Sequence, residues 1–242
     1  MRLDVYLTDS NIFESRKKAT DNIKEGCISV DGKIITKPAY FVDGLEKIEV
    51  IGNFCPYVGR GGFKLEGALD FFKIDVNGLT CVDIGSSTGG FTDCLLQRGA
   101  ARVYAVDSGR DQLHSKLRED SKVVCMEEFN ARQLTVDNLG GEVDLAVMDV
   151  SFISQTHLYQ AVSSVLKDNG FFISLVKPQF EAGKSHIGKN GIVKNEKIHR
   201  IVCENIKDVA RIYGLQCIEI IESPIKGGDG NKEFLALFKL KK

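Results

Sequence analysis

The side chains best suited to chemistry are four charged residues spread along the chain, Lys64, Asp149, Lys177 and Glu233, and an acid, Asp83, set two residues ahead of a glycine-rich run. Lysines and carboxylates that converge beside a bound ligand could form a site, though each singly is more often a surface charge. The run Cys81-Val82-Asp83-Ile84-Gly85-Ser86-Ser87-Thr88-Gly89-Gly90-Phe91 is an apolar segment that breaks into small residues, the pattern of a buried strand, a tight loop and a helix start. A dinucleotide loop carries Gly-x-Gly-x-x-Gly so that the backbone can close on a pyrophosphate, whereas here Ser86 and Ser87 follow Gly85. The second glycine is missing. With Asp83 at the strand end, the loop suits a ligand with a positive ammonium better than a diphosphate, and S-adenosylmethionine is such a ligand. Taken alone, the loop reads equally as a plain strand-to-helix turn.

The elements that must position these residues follow from periodicity. From Leu79 onward strand and helix patterns alternate, which predicts a mostly parallel, seven-stranded sheet with helices on both faces, an α/β Rossmann-like fold. The strand Arg102 to Val106 ends at Asp107, 24 residues past Asp83, near the ribose-reading position of a mononucleotide fold; helix capping is the blander role. The exit loop Glu127 to Asn130 is a candidate adenine edge. The strand Val143 to Met148 ends at Asp149, and Phe171 to Val176 ends at Lys177-Pro178. Glu233 opens the last strand and reaches the same sheet edge if that strand is antiparallel. Leu65, Ala68, Leu69 and Phe72 have helical spacing, so a helix from about Phe63 carries Lys64 in its first turn. Ligands bind outside the carboxyl ends of strands in such sheets, so the four charges converge on one edge. Ile201, Ile206 and Val209 mark a scaffold helix, and His199 a surface or packing residue.

Residues 1–51 form a separate small α+β module. Leu3 with Leu7 and Ala19 with Ile23 mark two short helices, and Ile28 with Val30, the turn Asp31-Gly32 and Lys47 to Ile51 mark three strands. Residues 52–62, with Gly52, Pro56, Gly59, Gly61 and Gly62, read as a linker, and 63–242 as the second domain. The chain has 242 residues and a net charge of −1, which excludes a globally basic nucleic-acid binder and leaves local patches. One such patch is the run of Arg16, Lys17, Lys18 and Lys24; another is the glycine-rich stretch with Lys184, Lys189 and Lys194. Both also read as solvated surface. Seven cysteines without a Cys-x-x-Cys pair fit a reducing compartment, and Asp4 and Asp9 fall where a signal peptide needs apolar residues, so a cytoplasmic protein is expected. The four histidines lack zinc-site spacing, and neither a metal nor a membrane contact is expected. A monomer is expected.

Two resemblances sharpen this reading. Arg2-Leu3-Asp4, Ser15-Arg16-Lys17-Lys18-Ala19, Gly26 to Lys33 and Lys37-Pro38 resemble the small RNA-binding fold named after the fourth small-subunit ribosomal protein. That resemblance implies phosphate contacts from Arg2, Arg16, Lys17 and Lys33, which position RNA without reading its sequence. Arg60-Gly61-Gly62-Phe63-Lys64-Leu65, the Asp83 to Phe91 loop, Asp149-Val150-Ser151-Phe152, Leu175 to Glu181 and Asn231-Lys232-Glu233 resemble the TlyA-type, or haemolysin A, family, similar in turn to FtsJ-like ribose 2′-O-methyltransferases. The resemblance implies methyl transfer from S-adenosylmethionine to a ribose 2′-hydroxyl of ribosomal RNA, on cytidine. It implies a catalytic tetrad of Lys64, Asp149, Lys177 and Glu233, with Lys177 as the base. Cofactor contacts are implied from Phe63, Asp83, Gly85, Ser86, Ser87, Thr88, Gly89, Gly90, Phe91, Asp107, Asn130 and Asp149. RNA contacts are implied from Arg60, Lys184 and Lys189 besides the module's own. Carboxylate neighbours favour a charged Lys177, while Lys64 and a sulfonium favour the neutral amine.

Three other functions compete. Base methylation uses the same fold, but an amino-group enzyme generally has Asn/Asp-Pro-Pro-aromatic where Asp149 is followed by Val150-Ser151-Phe152, and Cys125 and Cys203 lack the setting of a carbon-methylating nucleophile. A membrane-active haemolysin needs a cationic amphipathic stretch that the sequence does not offer. An RNA-binding factor without catalysis would need only the first module.

Overall fold

The computed structural model describes residues 1–24, 26–50, 56–188, 191–227 and 230–242, with the side chain of Lys184 excepted. They fall into two compact units, Met1–Pro56 and Tyr57–Lys242. Of the expected linker, positions 52–55 lie outside the described residues, and Tyr57 to Gly62 belong to the second unit.

In the first unit, helices α1 (Leu3–Asp9) and α2 (Arg16–Lys24) precede strands β1 (Ile28–Val30), β2 (Lys33–Ile34) and β3 (Ile48–Val50). The strands pair antiparallel in the order β2-β1-β3. Leu3, Leu7, Ala19 and Ile23, the residues at helical spacing, are fully buried against Ile28 and Val30. Between the helices lies one buried acid: Asp4, 2% exposed, accepts from Arg2 Nε at 2.9 Å and from Arg16 Nε at 2.8 Å. The hydrogen bond from Arg2, followed by that from Arg16, holds the Asp4 carboxyl down at about 2. A carboxyl lowered from its ordinary 3.8 stabilises the fold above that value and loses its contribution as pH falls through about 2.

The second unit holds a seven-stranded sheet. After α3 (Gly61–Phe72) come β4 (Thr80–Ile84), α4 (Gly90–Gln97), β5 (Arg102–Val106), α5 (Ser115–Arg118), β6 (Val123–Met126), α6 (Val136–Leu139), β7 (Val143–Met148), α7 (Tyr159–Val165) and β8 (Leu166–Val176). The chain ends with α8 (Pro178–Glu181), α9 (Glu196–Ile212), β9 (Leu215–Glu222) and β10 (Phe234–Leu240). The strand order is β6-β5-β4-β7-β8-β10-β9, with β4 to β8 parallel and β10 antiparallel to both neighbours. The chain leaves β4 for β5 and β6 on one side and returns to β7 on the other. That reversal opens a crevice at the carboxyl ends of β4 and β7.

The central strands are buried on both faces, which is why they read as apolar runs. On α9 the buried stripe is His199, Val202, Ile206 and Ala210, with Val209 packed partly buried beside it, while Ile201 is 62% exposed. His199 takes the packing role: its Nε2 lies 2.8 Å from the carbonyl of Val193 and its ring meets Phe234 edge-on. Asp4→Asn removes the charge that pairs two arginines; the first unit is expected to lose about 1–3 kcal/mol at neutral pH in denaturant unfolding, with the deficit shrinking as pH approaches 2.

Candidate active site

Asp83 sits at the end of β4 with no exposed surface. Its Oδ2 accepts from Thr92 Oγ1 at 2.7 Å, and its Oδ1 is buried without a partner, as is Ser86 Oγ. Burial, with the Asp149 and Asp107 charges added, pushes the Asp83 carboxyl up to about 7. An unpartnered buried carboxylate oxygen at a strand end is a place for a cationic group. Next to it Gly85 has φ +81°, and a Cβ there would lie 2.6 Å from the Asp149 carbonyl, so only glycine lets the loop turn against β7. Gly85 and Ser86 both donate to the Val106 carbonyl, and Ser87 donates to Asp107 Oδ2 at 2.8 Å. Gly109 donates to Asp107 Oδ1 at 2.7 Å, so this acid fixes the loop while each oxygen keeps a second lone pair.

Two clefts meet at this edge. The first, about 380 Å³, is lined by Gly85, Ser87, Asp107, Gln112, Asn130 and Asp149 among others. The second, about 390 Å³, is lined by Lys64, Lys177, Gln179, Phe180 and Glu233. Ser151 and Phe152 border both. Gly85, Ser87, Asp107, Asn130 and Asp149 come together in the lining of the first cleft. Asp83, Ser86, Thr88, Gly89 and Gly90 stand behind it. Phe63 packs edge-on to Tyr57, and Phe91 is buried 3.6 Å from where a Cβ on Gly61 would lie; neither lines these two clefts.

The four charges form two ion pairs. Lys64 Nζ lies 2.6 Å from Glu233 Oε2, both nearly buried, joining the first turn of α3 to the residue before β10. Lys177 Nζ lies 2.5 Å from Asp149 Oδ1 and donates to Ser151 Oγ at 2.8 Å. The antiparallel register, Phe234 opposite Val176, brings Glu233 and Lys177 to one end of neighbouring strands. Asp149 faces the first cleft and Lys177 the second, so this pair straddles the boundary.

Residues that pattern did not single out complete the site. Phe152 is 91% exposed in the left-handed region at φ +66°, with its ring 5.2 Å from that of Phe180. An exposed aromatic held in a strained conformation is a functional signature that only the backbone angle discloses. Of the expected RNA contacts, Lys17 and Lys33 are exposed, Arg2 and Arg16 are exposed while paired to Asp4, and Arg60 caps the start of α3. Lys184 lies in a 3-10 turn, and Lys189 falls outside the described residues.

A parallel sheet with an antiparallel β10, a glycine loop after β4 and a lysine–carboxylate cluster on the carboxyl edge define a Rossmann-like methyltransferase. Residues 57–240 match the FtsJ-like methyltransferase model and residues 1–47 the S4 domain. The chain belongs to the FtsJ-like methyltransferase family. It is 42% identical over 239 residues to Hemolysin A of Brachyspira hyodysenteriae, covering 98% of this chain and 99% of that one. It is 39% identical over 234 residues to the 16S/23S rRNA (cytidine-2′-O)-methyltransferase TlyA of Mycobacterium tuberculosis, covering 96% and 87%. A solved structure from Streptococcus thermophilus, 41% identical, superposes with a TM-score of 0.80 over 100% of this chain and 89% of that one. Among the described residues no helix is long and apolar enough to cross a membrane.

Because the folded state favours a protonated Asp83, wild-type stability falls as pH rises between about 4 and 7, and Asp83→Asn removes that slope. The variant's stability relative to wild type is expected to climb by about 1 kcal/mol per pH unit from pH 5 to 7. Urea unfolding at pH 5, 6, 7 and 8 measures it, and a difference independent of pH would contradict the buried-acid assignment.

Proposed function

We propose that this protein transfers a methyl group from S-adenosylmethionine to the 2′-hydroxyl of a cytidine in ribosomal RNA. The observation that carries the reading is the Lys177–Asp149 pair on the boundary of the two clefts, one sized and lined for a nucleoside, the other open to an acceptor. The acceptor class is supported by the S4 domain at residues 1–47 and by the activity in the name of the Mycobacterium tuberculosis relative.

Bound S-adenosylmethionine supplies an electrophilic methyl group on a sulfonium. The first cleft fits that ligand: Asp83, buried behind it with one unpartnered oxygen, would ionise to receive an ammonium, Asp107 has free lone pairs for ribose hydroxyls, and Asn130 stands at the adenine side. In the second cleft Lys177, braced by Asp149 and Ser151, would orient the acceptor hydroxyl toward the boundary and, as the neutral amine, take up its proton while the donor leaves as a neutral thioether. Lys64 and Glu233 hold the far wall. Holding oxygen and methyl in line supplies as much as ~7–11 kcal/mol of such a barrier. Exposed Phe152 offers a face on which the acceptor base stacks. Phosphate contacts come from Arg2, Arg16, Lys17 and Lys33 in the first unit and from Arg60, Lys184 and Lys189 in the second.

The deciding experiment is methyl mapping of ribosomal RNA with and without the protein, digested to nucleosides; 2′-O-methylcytidine is expected, and a base-methylated product overturns the acceptor assignment. Lys177→Ala should keep cofactor binding and lose methylation, and Lys177→Arg should also be inactive because guanidinium does not give up its proton. Substantial turnover by the arginine variant would remove Lys177 as proton acceptor. Phe152→Ala is expected to raise the KM for RNA about 10-fold, the equivalent of one stacked base, with Phe152→Trp near wild type and the KM for cofactor unchanged in both.

A further inference from the structure

Glu127 takes no part in the chemistry above, yet its carboxylate is among the most heavily engaged in the molecule. It follows β6 directly, and its side chain is 10% exposed. Oε2 accepts from the backbone N–H of Asp111 at 2.8 Å, and Oε1 accepts from the N–H of Gln112, the N–H of Leu113 and Arg118 Nη2, each at 2.8 Å. Three successive backbone donors aimed at one anion form a concave nest, here filled from within the chain. The nest has a conformational cost: Asp111 at φ +52° and Glu128 at φ +53° lie in the left-handed region that side chains avoid. Something must hold them there. The Leu113 N–H and Arg118 keep the Glu127 carboxyl down at about 2, so it remains an ionised acceptor throughout the neutral range.

What this grip connects is the first cleft. The gripped loop leaves β5 carrying Asp107, Ser108 and Gln112 to one wall, and Glu127 opens the loop that leaves β6 with Phe129, Asn130 and Ala131 in the other. The same loop reaches the glycine turn: His114 N donates to the Thr88 carbonyl, and Leu113 and Leu117 pack where a Cβ on Gly89 would lie 2.9 and 2.2 Å from their methyl carbons. Glu127 itself is not among the lining residues. It acts through the backbone.

We infer that Glu127 is a positioning residue for the methyl-donor cleft: by tying the β5 exit loop to the β6 exit loop it sets the spacing of the two walls that hold the nucleoside. The inference rests on the reading that this cleft takes S-adenosylmethionine. Replacing Glu127 by alanine frees three backbone donors and an arginine and lets Asp111 leave the left-handed region, so the walls part. Glutamine keeps one acceptor oxygen but turns an amide donor toward the remaining N–H groups, and its effect should be intermediate.

The test uses the full chain, with S-adenosylmethionine affinity by isothermal titration and steady-state kinetics on ribosomal RNA for wild type, Glu127→Ala and Glu127→Gln. The expected result is a loss of cofactor affinity of at least about 10-fold for alanine and less for glutamine. A matching rise in cofactor KM should accompany it, with kcat at saturating cofactor and the KM for RNA within about 2-fold of wild type. A role only in stability predicts lowered melting temperature with cofactor affinity of the folded protein unchanged, and that result overturns the inference. Should the alanine variant not fold, glutamine at unaltered affinity overturns it equally. Absence of wild-type binding to S-adenosylmethionine overturns the cofactor reading instead, so the two failures are distinguishable.

Discussion

The contact between Lys177 and Asp149 is the interaction on which the architecture of the site turns. Its two members leave adjacent parallel strands at the same edge, and each faces a different cleft. A charge pair placed on a boundary does two things at once: it separates the two clefts and it gives each an oriented electrostatic neighbour. The pair is half-buried, with side chains 11% and 22% exposed, so solvent screens part of its attraction and neighbouring contacts matter to its geometry. The surrounding shell keeps them in place. Ser151 adds a second contact to the ammonium, and Glu181 takes hydrogen bonds from Ser154 and Gln155, stitching the loop after β7 to the helix after β8.

The second pair depends on strand direction. Lys64 stands in the first turn of α3, where the helix dipole disfavours a cation. Glu233 offsets that cost, and it is available only because β10 runs antiparallel to β8 and so begins at the edge where the parallel strands end. Asn231 completes the approach, accepting from Val193 N and donating to the Gly191 carbonyl, so that the strand entrance and the wall of the second cleft are one hydrogen-bonded unit.

The methyl-donor side follows a different logic, in which backbone donors rather than charged side chains do most of the shaping. Asp107 and Glu127 each spend their carboxylate oxygens on main-chain N–H groups, converting loops into fixed walls. Asp83 and Asp149 differ: each has an Oδ1 buried without a hydrogen-bond partner, and at Asp149 that oxygen has the Lys177 ammonium beside it.

Much of this was legible in the residues. Apolar runs ending in Asp83, Asp107, Asp149 and Lys177 declare strands whose carboxyl ends share an edge, because in a parallel sheet order along the chain fixes direction. Gly85 at a strand end declares a positive φ. The register that sets Phe234 opposite Val176, the left-handed Phe152 and the grip of Glu127 on residues 111–113 were not legible. Each depends on a partner distant in the chain or on a backbone angle that many residue types can adopt, and neither leaves a periodic trace. Sequence determined which side chains were available and on which edge they would lie. Only the tertiary structure decided that the four charges form two pairs, because pairing is settled by distances of a few ångströms between strands and loops that local pattern does not encode.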